Sequence, residues 1–159
     1  MPQSNAQKLA TAARSAPEEE GIVICHHAVL YWMKEAGLID QNKVDQIKLN
    51  TPPTQWDQIL ARSTDAQVQN YPGGLASLTR GAIIGFIDHG LLQHSMVFVG
   101  AENGKAYVAG VNNLNVLNLS TANRVGPLYA LVTDNQLKPL EQGKQVHWVD
   151  VDTVLARLP

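Results

Sequence analysis

This chain of 159 residues is short of several things, and each shortage excludes something. It has one cysteine, Cys25, so no internal disulfide can form and nothing calls for an oxidising compartment. No apolar run approaches the ~18–20 residues that a membrane span needs. The N-terminal stretch MPQSNAQKLATAARSAP is polar and alanine-rich, without the charged-then-apolar order of a secretory leader. The expected location is the cytoplasm of the producing cell, with any secretion by a route independent of a signal peptide. A basic surplus is also missing: Lys and Arg number 12 against 14 Asp and Glu, for a formal net charge of -2. Without a Lys/Arg stripe, no nucleic-acid partner is expected. Internal repeats and low-complexity blocks are absent. Asn118–Ser120 spells a glycosylation acceptor, with no secretory signal to bring it into use.

What is present is an ordinary globular composition, 45% apolar and 16% charged. The length suits one domain over residues 1–159, with 1–20 reading as loosely ordered. NAQKLATAARS reads as a short, loosely docked helix, and APEEEG as a polar break ending at Gly21. IVICHHAVLYWMKEAG then carries a broad apolar helical band with Gly37 as its C′ residue. Asp40 is placed to cap a second short helix running to Lys48. Thr54 is placed to cap a turn or two that bears Trp56, Ile59 and Leu60. After the YPGG turn at 71–74 the character changes. GAIIGFID, HSMVFVG and KAYVAGVN are β-branched or aromatic runs separated by turn signals, with GAENGK as a hairpin connection. GPLYALVTD and QVHWVDV add two more strands, and DTVLARL a terminal helix. Helices first and consecutive strands afterwards predict an α+β fold, with N-terminal helices packed on an antiparallel sheet.

Cys25 opens a helix. A helix N-terminus carries partial positive charge and free N–H groups. A thiol there can ionise far below its usual ~8.5, in the range ~3.5–7.5. The same N–H groups can hold the oxyanion of an attacked carbonyl. Glu18, Glu19 and Glu20, just upstream, oppose ionisation if they fold close. A nucleophilic cysteine needs a base on another element within hydrogen-bond reach. His94 opens HSMVFVG, where His94, Met96 and Phe98 share one strand face and Ser95, Val97 and Val99 the other. His89 is the runner-up base, on a loop five residues earlier. Asn112 or Asn113 of AGVNN can orient the second ring nitrogen.

The competing readings are structural. A lone cysteine is commonly a small buried hydrophobe. Adjacent Cys25, His26 and His27 diverge by about 100° per residue around a helix, so they do not converge on a metal ion. On this reading His27 is solvated or capping, His26 lines the cleft, and His147 lies on a strand surface. Trp32 and Trp56 read as core.

Cysteine at a helix start (CHHAVLYW), a glycine-led strand (LTRGAIIGF) and a histidine-led strand ending in glycine (HSMVFVG) resemble the papain-like superfamily. The likeness is to its compact bacterial branches: NlpC-type cell-wall peptidases, CHAP-type amidases, and effector proteases and deamidases of the YopT and TecA kind. It runs from Cys25 to Asn113, a little over half the chain. The resemblance implies a papain-like minimal domain with Cys25 as nucleophile, His94 as general base and Asn112 as the third residue. Asn113 and Asp134 are the alternatives for that last role. Two positions depart from the family pattern. Ala82 stands where a Gly-Asp pair has its aspartate, and Glu19 stands where papain has its oxyanion-hole glutamine. The second oxyanion donor is therefore unidentified.

The implied activity is amide hydrolysis without cofactor or metal, as a bacterial effector or toxin acting as a deamidase or protease. The alternatives are a peptidoglycan amidase or endopeptidase, and a non-catalytic binding or adaptor module with an inert Cys25. The partners would be a protein or peptidoglycan substrate and an inhibitor or immunity protein.

Overall fold

Local capping chemistry starts and stops the helices. In the computed structural model, which describes residues 2–15, 25–47, 55–67, 77–103, 105–111, 129–132 and 145–159, helix α1 spans Asn5–Ser15. Ser4 and Gln7 form a reciprocal capping box ahead of it: Gln7 N–H donates to Ser4 Oγ (3.2 Å) and Ser4 N–H to Gln7 Oε1 (2.9 Å). Helix α2 (Cys25–Glu35) stops where Gly37 takes φ 78°. Leu38 N–H then reaches Met33 O (3.0 Å) and Gly37 N–H reaches Lys34 O (2.9 Å), the paired bonds of a Schellman motif. Helix α3 (Gln41–Ile47) starts at Asp40, whose Oδ1 accepts from Lys43 N–H at 2.8 Å. Helix α4 (Gln55–Gln67) is longer than the turn or two the sequence implies. Helix α5 (Val151–Leu155) is capped by Asp150.

The sheet contains β1 (Ile83–Asp88), β2 (Leu91–Glu102), β3 (Lys105–Ala109), β4 (Tyr129–Val132) and β5 (Gln145–Val149). Their order across the sheet is β4-β3-β2-β1-β5, and every neighbouring pair is antiparallel. The β1–β2 hairpin turns through His89 (φ 51°) and Gly90 (φ 78°), the paired left-handed conformations that a tight hairpin requires. The α+β class and the helix-on-antiparallel-sheet layout therefore stand.

The strand alternation read from the sequence also stands. Ile83, Val97, Val99, Ala109 and Val149 face the helices and pack with α1, α2, α4 and α5. Ile84, Phe86, Met96, Phe98, Val108 and Val146 form a second buried cluster on the opposite face. Helix α1 corrects the expectation of loose docking. Its Ala6, Leu9, Ala10 and Ala13 make a buried stripe at helical spacing. Small residues let it come so close that a Cβ on Gly81 would lie 1.9 Å from the Ala6 carbonyl oxygen. Asn5 Nδ2 also donates to Asp152 Oδ1 (2.7 Å), joining α1 to α5.

Candidate active site

Cys25 is the first residue of α2 and remains partly exposed. His26 follows and is buried, on the stripe it shares with Val29, Leu30 and Met33. The first turn of α2 is held against α4 by Trp56, whose Nε1–H donates to the His26 carbonyl at 2.6 Å. Across from them on β2 lies Ser95, fully buried and in step with Val97 on the helix-facing side. Its Oγ is 2.7 Å from Nδ1 of His26, and Sγ of Cys25 is 3.6 Å from the same nitrogen. Three polar side chains from two elements thus meet at the N-terminus of α2.

Strand geometry directs a backbone donor to the same point. Phe98 N–H bonds toward the β1 side, to Ala82 O at 2.9 Å. His94 and Met96 keep step with Phe98, so Ser95 and Val97 present their N–H groups away from β1. Val97 pairs with Ala109, the last residue of β3. Ser95 lies beyond that pair, and its backbone favours the thiolate of Cys25.

Burial sets the protonation states. It is the largest influence on Cys25 and pushes the thiol up from its ordinary range. Hydrogen bonds from the N–H groups of Ser95, His26 and Cys25 itself, and from the Ser95 side chain, pull the other way without winning. Burial also pushes His26 down, more strongly than Asp57 and the Leu92 backbone raise it; His27 adds to the depression. Near neutrality the pair is a thiol beside an uncharged imidazole. The low thiol pKa expected from the helix terminus is corrected: desolvation outweighs the N–H donors.

His94 is not brought to Cys25, and the sequence assignment of it as base is corrected. It lies 2% exposed on the opposite sheet face, with its ring 5.7 Å from that of Phe86. The cause is strand phase: His94 keeps step with Met96 and Phe98 and pairs with Phe86, all on that face. Ile87 then pairs with Leu92, leaving Gln93 as the extra residue of a bulge. The bulge puts Leu92 out of step with His94, and Leu92 packs with the helices. His89 lies at the hairpin turn, 89% exposed, with Nδ1 2.7 Å from Asp88 Oδ1. His147 is not a surface residue: it is 3% exposed, with Nε2 3.0 Å from Gln145 Oε1, and it pairs with Gly85 in the sheet. His27 is half-buried. Trp32 and Trp56 are core, as read from the sequence. Asn112, Asn113, Asp134, Glu18–Glu20, Thr54 and the YPGG turn lie outside the described residues.

The sequence reading did not find Ser95, and it gave His26 no catalytic part. Ser95 had a signal: it is the polar member of an otherwise valine face. His26 had one as well, in sharing the buried helical stripe. Among the described residues no helix is long and apolar enough to cross a membrane. No family model matches the chain, and no curated protein or solved structure matches it.

Proposed function

We propose that this chain is a cysteine hydrolase of amide bonds, with Cys25 as nucleophile and His26 as the base. The observation that carries it is Sγ of the partly exposed Cys25 3.6 Å from Nδ1 of a buried, uncharged imidazole. Ser95 is closer to the imidazole, but it is fully buried and out of a substrate's reach. Cys25 is the group of the cluster that a carbonyl can approach.

The chemistry follows from the protonation states. The imidazole takes the thiol proton as Sγ bonds to the carbonyl carbon, so the charge appears only during attack. The tetrahedral oxyanion forms at the N-terminus of α2, beside the Cys25 N–H. The imidazolium returns the proton to the departing ammonia or amine. Water then attacks the thioester with His26 again as base, regenerating the thiol and releasing a carboxylic acid. The small domain favours a single carboxamide or peptide bond of a protein substrate, consistent with an effector deamidase or protease.

The test is mass spectrometry of candidate protein and peptidoglycan substrates after incubation with the wild type, Cys25→Ala and His26→Ala. Exchange of a carboxamide for a carboxylate, or cleavage to fragments, is expected with the wild type alone. Equal turnover by Cys25→Ala would overturn the reading.

A further inference from the structure

Nδ1 of His26 has two neighbours and can accept a short hydrogen bond from one of them. The Ser95 hydroxyl holds that place at 2.7 Å, while the Cys25 thiol stands off at 3.6 Å. The sulfur contact is the longer of the two, and the shorter one belongs to the hydroxyl. The Ser95 side chain also acts on the ionisation of the Cys25 thiol, so one hydroxyl lies beside both partners. A serine hydroxyl donates one hydrogen and accepts through two lone pairs, which suits it to both contacts at once.

Resting on the hydrolase reading above, we infer that Ser95 is a proton relay, its hydroxyl carrying the Cys25 proton to Nδ1 of His26. As Sγ bonds to the carbonyl carbon, the S–H proton moves to Ser95 Oγ and the Ser95 proton moves to Nδ1. Serine stays neutral throughout. A thiol and an imidazole become a bound sulfur and an imidazolium. The imidazolium then gives its proton to the departing nitrogen, which restores the neutral imidazole. Complete burial of Ser95 protects this exchange from bulk water. Asp57 on α4 and the Leu92 backbone on β2 favour the imidazolium, while His27 on α2 opposes it.

The single cysteine makes the test direct, because all alkylation reports Cys25. Iodoacetamide labelling rates are measured across pH for the folded wild type, Ser95→Ala, Ser95→Thr and His26→Gln. The wild type is expected to show an inflection on the acid side of an ordinary histidine, from His26 acting on the thiol. Ser95→Ala should lose that inflection and label about 10-fold or more slowly near neutrality, as His26→Gln does. Ser95→Thr, which keeps the hydroxyl but adds bulk, should restore the inflection. A merely structural serine predicts the reverse order, since threonine disturbs packing more than alanine. A Ser95→Ala profile that superimposes on the wild type overturns the relay and leaves the hydrolase reading standing. Labelling of the wild type only in denaturant overturns both. If Ser95→Ala does not fold, Ser95→Gly makes the same deletion and is judged by the same profile.

Discussion

Gly85→Ala puts the packing beneath the site under a measurable load. Gly85 is the cross-strand partner of both Ser95 and His147, in the row of the sheet that α4 covers. A Cβ there would meet Leu92 Cδ1 at 2.7 Å and Thr64 Cγ2 at 2.9 Å. Ordinary contact begins at 3.4 Å, so the overlaps are 0.7 and 0.5 Å. Leu92 is partly exposed and its methyl can swing aside. Thr64 cannot: it is fully buried in α4, and its Oγ1 is tied to Leu60 O at 2.8 Å. Overpacking of this kind costs about 1–3 kcal/mol. Removing a strand glycine returns about 0.5–1 kcal/mol through the unfolded chain. Taking the middle of each range, the net loss is about 1 kcal/mol, or roughly 2–4 °C in Tm for a domain of this size. Thr64→Ser deletes the obstructing methyl and keeps the hydroxyl bond, at about 1 kcal/mol for the lost burial. Urea melts of the two single variants and the double variant close the cycle. The double variant should be about as stable as Thr64→Ser alone, a coupling of about 1 kcal/mol or more. Costs that add within about 0.5 kcal/mol, or a Gly85→Ala variant as stable as the wild type, would refute the close approach of α4 to β1.

Two further predictions separate site from scaffold. His94→Ala should lower stability by about 1–3 kcal/mol through lost packing on Phe86, yet leave iodoacetamide labelling of folded Cys25 at the wild-type rate. A selective loss of labelling in a folded His94→Ala variant would return the base to β2's other face. Stability should also fall away from a plateau on both sides. Below about pH 6.5 the unfolded chain binds a proton that buried His26 refuses, so stability drops until the lower folded pKa is passed. Above about pH 8.5 the unfolded chain releases a proton that buried Cys25 retains, so stability drops again. Melts between about pH 5 and pH 10 check both limbs. His26→Gln should flatten the acid limb and Cys25→Ala the alkaline one, and a wild type without an acid limb would contradict an uncharged imidazole.

Elements governed by local chemistry were legible in the sequence. Gly37 ended α2, Asp40 capped α3, and turn residues separated the strands, because capping and left-handed turns depend on a few adjacent residues. The first helix read as loose because its alanines carry little apolar weight individually. Their contribution is closeness: Gly81 and Ala6 meet backbone to backbone, a long-range fit with no local signature. His147 read as a surface residue for a related reason. The sheet covers both its faces, so a polar strand position is not evidence of solvent.

The misplaced base has a sharper cause. Alternation correctly divided β2 into a His94, Met96, Phe98 face and a Ser95, Val97, Val99 face. Which face meets α2 is then a single binary choice, and hydropathy cannot make it when both sides are apolar enough to be buried. Register with β1 shows the outcome: His94 lies opposite Phe86 on one face, and Ser95 lies opposite Gly85 on the other, in step with Val97. Ser95 therefore takes the place beside Cys25, and the bulge at Gln93 brings Leu92 to the same helix side. The histidine that reaches the sulfur then comes from the helix itself. His26 reaches Cys25 directly, Nδ1 to Sγ at 3.6 Å, and both adjoin Ser95 on the strand.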